Sequence, residues 1–230
     1  MHSTWTLIQQ GGALMIPIIS ASIISLFVFF ERLWSLRPSR VIPSELVLLA
    51  LERSSEARYS EAMTLCEGSS STVAAIIYSG LKRRGHQRAH MKEALEEIGQ
   101  IEVSYLSRYV ELLGTIATIA PLMGLLGTVI GMIDVFRAVV AEVGVQGGMV
   151  NPASLANGIW AALITTAAGL SAAIPAFLGY KYLIGYIDRL AVELEEIGLS
   201  LLEAVYPTEI LREGQSETPG SPTHSRVEES

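Results

Sequence analysis

The fold class predicted for this chain is an all-α membrane protein with three transmembrane helices that extend into long cytoplasmic helices. Three observations predict it. Half of the 230 residues are hydrophobic. Only 17% are charged, and a chain of this composition is membrane-embedded or unusually greasy. Three apolar runs, roughly 13–30, 112–136 and 155–184, each meet the ~20 residues needed to cross a bilayer, the first only just. The net charge of −7 argues against a nucleic-acid partner. Cys66 is the single cysteine, so no intrachain disulfide can form, and it reads as a thiol in a reducing compartment.

Residues 1–12 are assigned to a periplasmic N-terminus and 13–34 to the first transmembrane helix. Met1–Gln10 has no Lys or Arg, and no small-residue cleavage site follows, so the helix is expected to be retained rather than cleaved as a signal. Trp34 marks its interface, with Arg32 and Arg37 at its end. Basic residues that follow the span place the N-terminus outside and the next segment in the cytoplasm.

Residues 35–108 are read as a cytoplasmic helical domain. Pro38 and Pro43 break the chain, and Ser44–Arg53 and Glu56–Glu67 are amphipathic and helical in pattern. Gly68–Ser71 is a loop, and Thr72–Leu81 and Arg88–Tyr109 are helical again. Met91, Leu95, Ile98, Tyr105, Tyr109 and Leu112 recur at steps of about seven and half-seven residues. That spacing predicts one long helix running straight into the second span, with a face packed inside an assembly. The basic group Lys82, Arg83, Arg84, Arg88 and Lys92 fits a solvated surface or a lipid-headgroup contact, with a docking site for a cytoplasmic partner as the alternative. His86 and His90 are spaced as helical metal ligands can be, but no acidic or Cys partner stands at matching spacing, and no metal is assigned.

The second transmembrane helix, 109–136, is centred on the uncharged stretch Gly114–Met132. At about 100° per residue, Ala117, Ala120, Gly124, Gly127 and Gly131 share one stripe, a seam against which another backbone can pack closely. A neighbouring stripe of Gly114, Thr118, Pro121, Leu125 and Thr128 puts hydroxyls and a proline into hydrocarbon, where protein or water must satisfy the freed groups. Residues 137–154 are read as a periplasmic loop. Arg137 is its only basic residue, whereas Glu31–Arg108 holds eleven of the sixteen Lys and Arg, and this imbalance sets the orientation.

The third transmembrane helix, 155–182, follows the turn signal Asn151-Pro152. Trp160, Leu163, Ala167, Leu170, Ile174 and Phe177 form a bulky stripe expected to meet lipid. Asn157, Ala161, Thr165, Ala168, Ala172 and Pro175 form a small, polar stripe expected to face protein or water, and Thr166 lies beside it near Ala162 and Ala173. Beyond Pro175 the helix is expected to carry Tyr180, Lys181, Tyr182 and Tyr186 through the headgroups. It continues as a cytoplasmic C-terminal helix, 183–206, with Leu183, Ile187, Leu190, Leu194, Ile197 and Leu201 on one face. Pro207 closes it, and 207–230, rich in Ser, Pro, Glu and Gly, reads as a disordered tail.

The spans are poor in reactive chemistry. His2, His86, His90 and His224 all lie outside them, and Asp134 sits near the outer end of the second. An intramembrane protease needs a Ser–His pair or two carboxylates at depth, and neither is available. Gly169-Leu170-Ser171 lacks a base, and no Gly-rich phosphate loop with a Lys is present. No enzyme, cofactor or metal is therefore predicted. Thr in a membrane helix usually bonds its own i−4 carbonyl. Thr128, Thr165 and Thr166, at similar depth on adjacent small-faced helices, could instead support a water chain, although they cannot carry a proton themselves.

At these residues the chain resembles the ExbB/TolQ/MotA proton-channel family, in its three-span ExbB/TolQ branch. The resemblance covers most of 10–205. It is carried by Gly11-Gly12 before the first span, Pro17 within it and Glu31–Trp34 at its end, and by PLMGLLGTVIGM from Pro121 in the second. In the third it is carried by GIWAALITTAAGL from Gly158 and by Ala173-Ile174-Pro175-Ala176. It implies a homo-pentamer around a dimer of a single-span ExbD/TolR-like protein whose membrane aspartate lies in the pore. It also implies that Thr128 and Thr166 line the proton path, and the reading of the residues adds Thr165 and Thr118 as further lining candidates. Gly124, Gly127, Gly131, Gly169, Pro121 and Pro175 would serve helix packing. Several relatives have a glutamate where this chain has Ala161, in keeping with the lack of a buried acid in the spans. The helical wheel turns Thr165 inward and the motif favours Thr166, which is preferred.

The implied setting is the bacterial inner membrane, with proton flow doing work on an envelope, TonB/TolA-like or motility component. A proton from outside would neutralise the partner's aspartate, relax its preference for a Thr-lined wall and let its helix shift. A membrane scaffold that only packs helices is the alternative.

Overall fold

The computed structural model describes residues 12–85, 87–146 and 152–207, and every regular element among the described residues is an α-helix. The elements are α1 (Met15–Ser35), α2 (Pro38–Val41), α3 (Ser44–Ser55), α4 (Tyr59–Glu67), α5 (Thr72–Lys82), α6 (Arg88–Ser107), α7 (Val110–Gln146) and α8 (Pro152–Val205). Three of them, α1, α7 and α8, are long and apolar enough to cross a membrane. The protein is a multi-pass membrane protein.

Several boundaries differ from the sequence expectation. Pro38 opens the one-turn helix α2, where its missing N–H costs nothing. Glu56 caps α3 instead of starting α4, because Ala57 adopts φ 60° and turns the chain. The expected continuous helix from Arg88 is interrupted at Arg108 and Tyr109 before α7 begins. Of its periodic face, Met91 and Leu95 are buried, whereas Tyr105, Tyr109 and Leu112 are exposed. α7 runs on to Gln146, through the first half of the expected loop, because no proline stops it after Phe136. The third span and the C-terminal helix form one helix of 54 residues. At 1.5 Å per residue α8 is about 80 Å long, more than twice the hydrocarbon thickness. Met1–Gln10 and the tail 208–230 lie outside the described residues.

α8 is the mast of the molecule. Its C-terminal half presents Leu190, Leu194, Leu201 and Leu202 to a hydrophobic core with Val73, Ile76, Ile77 and Leu81 of α5 and Met91 and Leu95 of α6. Ser71 caps α5, its Oγ accepting from the Ala74 N–H at 3.4 Å. A neck of Val28, Leu36, Val110, Leu113, Leu183 and Ile187 ties α1, α7 and α8 together beside this helical body. Here the Arg32 guanidinium, paired with Glu31 at 2.6 Å, sits 4.6 Å from the Tyr109 ring centroid.

In the spanning part, α7 and α8 form the most extensive helix pair, and α1 crosses their back. Ile18 of α1 packs on Ala120, Ala172 and Ala173, and Ala21 packs on Ile116, Ala117 and Ala176. The small stripe of α7 makes the seam. A Cβ on Gly169 of α8 would lie 2.6 Å from the Ala120 carbonyl oxygen and 2.9 Å from the Gly124 Cα. Both contacts are backbone and cannot yield by a rotamer change. Gly169→Ala is accordingly expected to force the helices apart and destabilise the protein by about 1–3 kcal/mol, the usual cost of overpacking. Thermal denaturation in detergent checks this, and a midpoint equal to that of the parent would contradict it.

Candidate functional site

The site is built on the α7–α8 seam. Ala117, Ala120, Gly124 and Gly127 are buried on α7, and Ala162, Thr165, Gly169, Ala172 and Ala176 are buried on α8. A Cβ on Gly127 would collide with the Thr165 side chain, and one on Gly131 would lie 2.9 Å from the Ala162 Cβ. The α8 half of the seam is therefore turned from the small, polar stripe read in the sequence. Asn157 and Pro175 of that stripe are exposed, and Ala162, Gly169 and Ala176 take their place. Minimum side-chain volume, not polarity, selects which face of α8 meets α7. Pro175 thus makes no seam contact, and its effect is to leave the Ser171 carbonyl without an intrahelical donor. Pro121 is half-buried, and α7 and α8 run through their prolines without a break. The bulky stripe Trp160, Leu163, Ala167, Leu170, Ile174 and Phe177 is exposed throughout.

The four threonines named from the sequence occupy three kinds of place. Thr165 is 2% exposed, inside the seam against Gly127, with its hydroxyl donating to the Ala161 carbonyl at 3.0 Å. Thr166 is half-buried at the seam's edge, and its hydroxyl crosses to α7 to donate to the Gly124 carbonyl at 2.8 Å. Thr128 is half-buried and donates to the next carbonyl along α7, that of Leu125, at 2.7 Å. Thr118 is exposed and donates to the Gly114 carbonyl at 2.9 Å. Thr166 and Thr128 are thus fixed to consecutive carbonyls of one helix, while Thr118 lies about 15 Å along α7 from Thr128 at 1.5 Å per residue. The stripe of Thr118 and Thr128 is on the side of α7 away from Ile116 and Met123, which face α1.

Each of these hydroxyls spends its proton on a backbone carbonyl. While its proton is so engaged, each oxygen keeps lone pairs that can accept. The wall they form therefore accepts from a donor, such as water, hydronium or a protonated carboxylic acid. Towards the far end of α7 the nearest charges to Thr128, Asp134 and Arg137, are exposed beyond the seam and paired at 3.6 Å, and Glu111 lies two turns from Thr118 at the other end. Among the described residues no group of three or more His, Cys, Asp or Glu is placed to hold a metal. His90 is exposed and His86 lies outside the described residues. The basic group is a surface feature: Lys92 pairs with Glu96 at 3.4 Å and Arg83 with Glu97 at 3.9 Å. Sequence reasoning missed Ala162 and Ala176 as seam residues, although their spacing with Gly169 carried the signal.

Comparison with known proteins places the chain. The profile of the MotA/TolQ/ExbB proton channel family matches residues 69–196, more than half the chain. The chain belongs to this family. It is 31% identical over 199 residues to the biopolymer transport protein exbB1 of Vibrio cholerae, covering 85% of each. It is 32% identical over 192 residues to a biopolymer transport protein ExbB homolog of Methanothermobacter thermautotrophicus, covering 83% of this chain and 65% of that one. To the Tol-Pal system protein TolQ of Haemophilus influenzae it is 42% identical over 82 residues, 36% of this chain and 34% of the relative. The MotA/TolQ/ExbB profile takes in both the seam and the upper part of the helical body.

Outside the spans, burial pushes the Cys66 thiol up to about 11. Burial also raises the Glu102 carboxyl, and a hydrogen bond to Glu67 raises Tyr78. A thiol that resists ionisation is no nucleophile at neutral pH. At pH 8 Cys66 is expected to react with a thiol reagent at least about a hundredfold more slowly than in the denatured chain, its thiolate being that much scarcer. Because the folded state favours the neutral thiol, stability falls as pH rises from the unfolded value of 9.0 towards 11. Equal labelling rates before and after denaturation would contradict both statements.

Proposed function

We propose that this protein is an inner-membrane proton-channel subunit that works with an ExbD/TolR-like single-span partner. In this proposal five copies surround the partner, with the N-terminus periplasmic and the C-terminus cytoplasmic. The partner's membrane aspartate carries the proton, and the movement drives an envelope, outer-membrane or motility component. One observation carries this reading: the membrane seam presents half-buried hydroxyl oxygens, Thr128 and Thr166, with no titratable side chain beside them among the described residues. A path so lined has no proton-binding group of its own, and the partner's carboxyl supplies one.

The hydroxyl orientations give the mechanism its sign. The sequence expectation had the ionised aspartate holding to a Thr-lined wall and leaving it on neutralisation. Oxygens whose protons are so engaged favour the reverse. A protonated partner carboxyl donates a hydrogen bond to Thr128 or Thr166, and an ionised one is left unpaired in a low-dielectric setting. Loading with a proton then binds the partner helix to one wall, and release to the cytoplasm frees it. Each proton crossing about 100 mV delivers roughly 2.3 kcal/mol, so mechanical work on a distant component takes several.

A scaffold subunit without conduction is the second reading. It is favoured by the fact that every one of these hydroxyls already has a backbone partner. The two separate on substitution. Thr128→Val and Thr166→Val keep the shape and remove the acceptor. In the partner complex each is expected to assemble with an unchanged subunit count, read by native mass spectrometry. Loss of one hydrogen bond of roughly 1 kcal/mol should slow proton flux about fivefold. Parental flux in both variants would remove the channel reading.

A further inference from the structure

A cleft of about 450 Å³ opens between α7 and α8 at the end of the spans nearest the helical body. Glu111, Gly114, Thr115 and Thr118 line it from α7, and Phe177 and Tyr180 from α8. Gly114 is what lets the second wall close: a Cβ there would meet the Tyr180 ring at 3.0–3.2 Å. Of its lining on α7, Gly114 and Thr118 belong to the stripe of Leu125 and Thr128, while Glu111 and Thr115 lie further round the helix, about 100° and 140° from Thr128. Its hydroxyls are bonded as those of Thr128 are, to carbonyls of α7 itself. The Thr118 hydroxyl donates to the Gly114 carbonyl at 2.9 Å and the Thr115 hydroxyl to the Glu111 carbonyl at 3.0 Å, so both oxygens face the cleft as acceptors. Glu111 is exposed, and its carboxylate makes no ion pair among the described residues. Lys181, whose Nζ lies 5.9 Å from the Phe177 ring centroid, is not part of the lining.

Building on the channel reading above, we infer that this cleft is the cytoplasmic mouth of the proton path and that Glu111 takes up the proton as it leaves. A carboxylate with two acceptor hydroxyls one and two turns above it concentrates hydronium and repels anions. Glu111, Thr115 and Thr118 stand at i, i+4 and i+7 on one face, so a proton released at Thr118 level reaches a titratable group within about 10 Å along the helix. The transfer is a plain protonation and deprotonation of the Glu111 carboxylate, with water donating and accepting. The aromatic wall of Phe177 and Tyr180 narrows the exit on the other side.

The test uses the complex with its single-span partner, reconstituted in liposomes with a pH-sensitive dye inside. Glu111→Gln is expected to lower proton flux roughly tenfold with the subunit count unchanged, and Glu111→Asp to recover most of it. In a Cys66→Ala background, Thr118→Cys should be modified by a charged methanethiosulfonate applied from the helical-body side only, and modification should block flux. Full flux in Glu111→Gln, with Thr128→Val still impaired, overturns the mouth and leaves the channel intact. Parental flux in both variants overturns the two together. If Glu111→Gln does not assemble, the Thr118→Cys variant decides alone: no labelling, or labelling with unchanged flux, overturns the assignment.

Discussion

The approach of two helix backbones to van der Waals distance is the constraint on which this structure depends. α7 and α8 meet through Gly124, Gly127 and Gly169 with no side chain between their main chains at the closest point. In a bilayer, lipid tails are as apolar as leucine, so burial alone does not hold helices together, and close packing takes its place. That closeness is also what allows the Thr166 hydroxyl of α8 to reach the Gly124 carbonyl of α7. The seam thus sets the positions of the polar atoms as well as the stability of the pair. α1 contributes by covering the back of the seam, and the long extension of α8 couples it to the helical body through Leu183, Ile187 and Leu190.

Much of this was legible in the residues. The three spans follow from length and hydropathy alone, because a bilayer imposes both. The seam of α7 follows from five small residues on one stripe, since nothing else tolerates so much glycine in hydrocarbon. The amphipathic face of the α8 extension was equally plain, and Leu183, Ile187, Leu190, Leu194 and Leu201 are all buried. Where the structure differs, the causes are physical. Contact of α8 with α7 responds to volume at Ala162 and Gly169, outside the small, polar stripe that was expected to face protein or water. The break at Arg108-Tyr109 has no Gly or Pro to announce it. The continuation of α7 past Phe136 was hidden because a hydrophilic stretch was equated with a loop. Glu111 was passed over because it lies at a helix start, where an acidic residue is ordinary.

The threonines illustrate how a structural habit can become a functional property. Bonding its own backbone is the usual fate of a membrane threonine, and Thr118, Thr128 and Thr165 all do so. The same bond fixes the hydroxyl proton and turns the oxygen into a directional acceptor. In the proposed channel, a wall of such oxygens would favour the protonated over the ionised form of a visiting carboxyl without holding any charge of its own. That asymmetry links packing to proposed function, since a displaced α8 would also misplace the Thr166 oxygen.

The most direct test of the account is proton flux through liposomes holding this chain alone, compared with liposomes holding it together with its single-span partner. The account predicts a pH-gradient collapse only in the second case, and none when the partner's membrane aspartate is replaced by asparagine. Rapid collapse with this chain alone would contradict it, because a path lined only by fixed hydroxyl acceptors would then be conducting without a borrowed carboxylate.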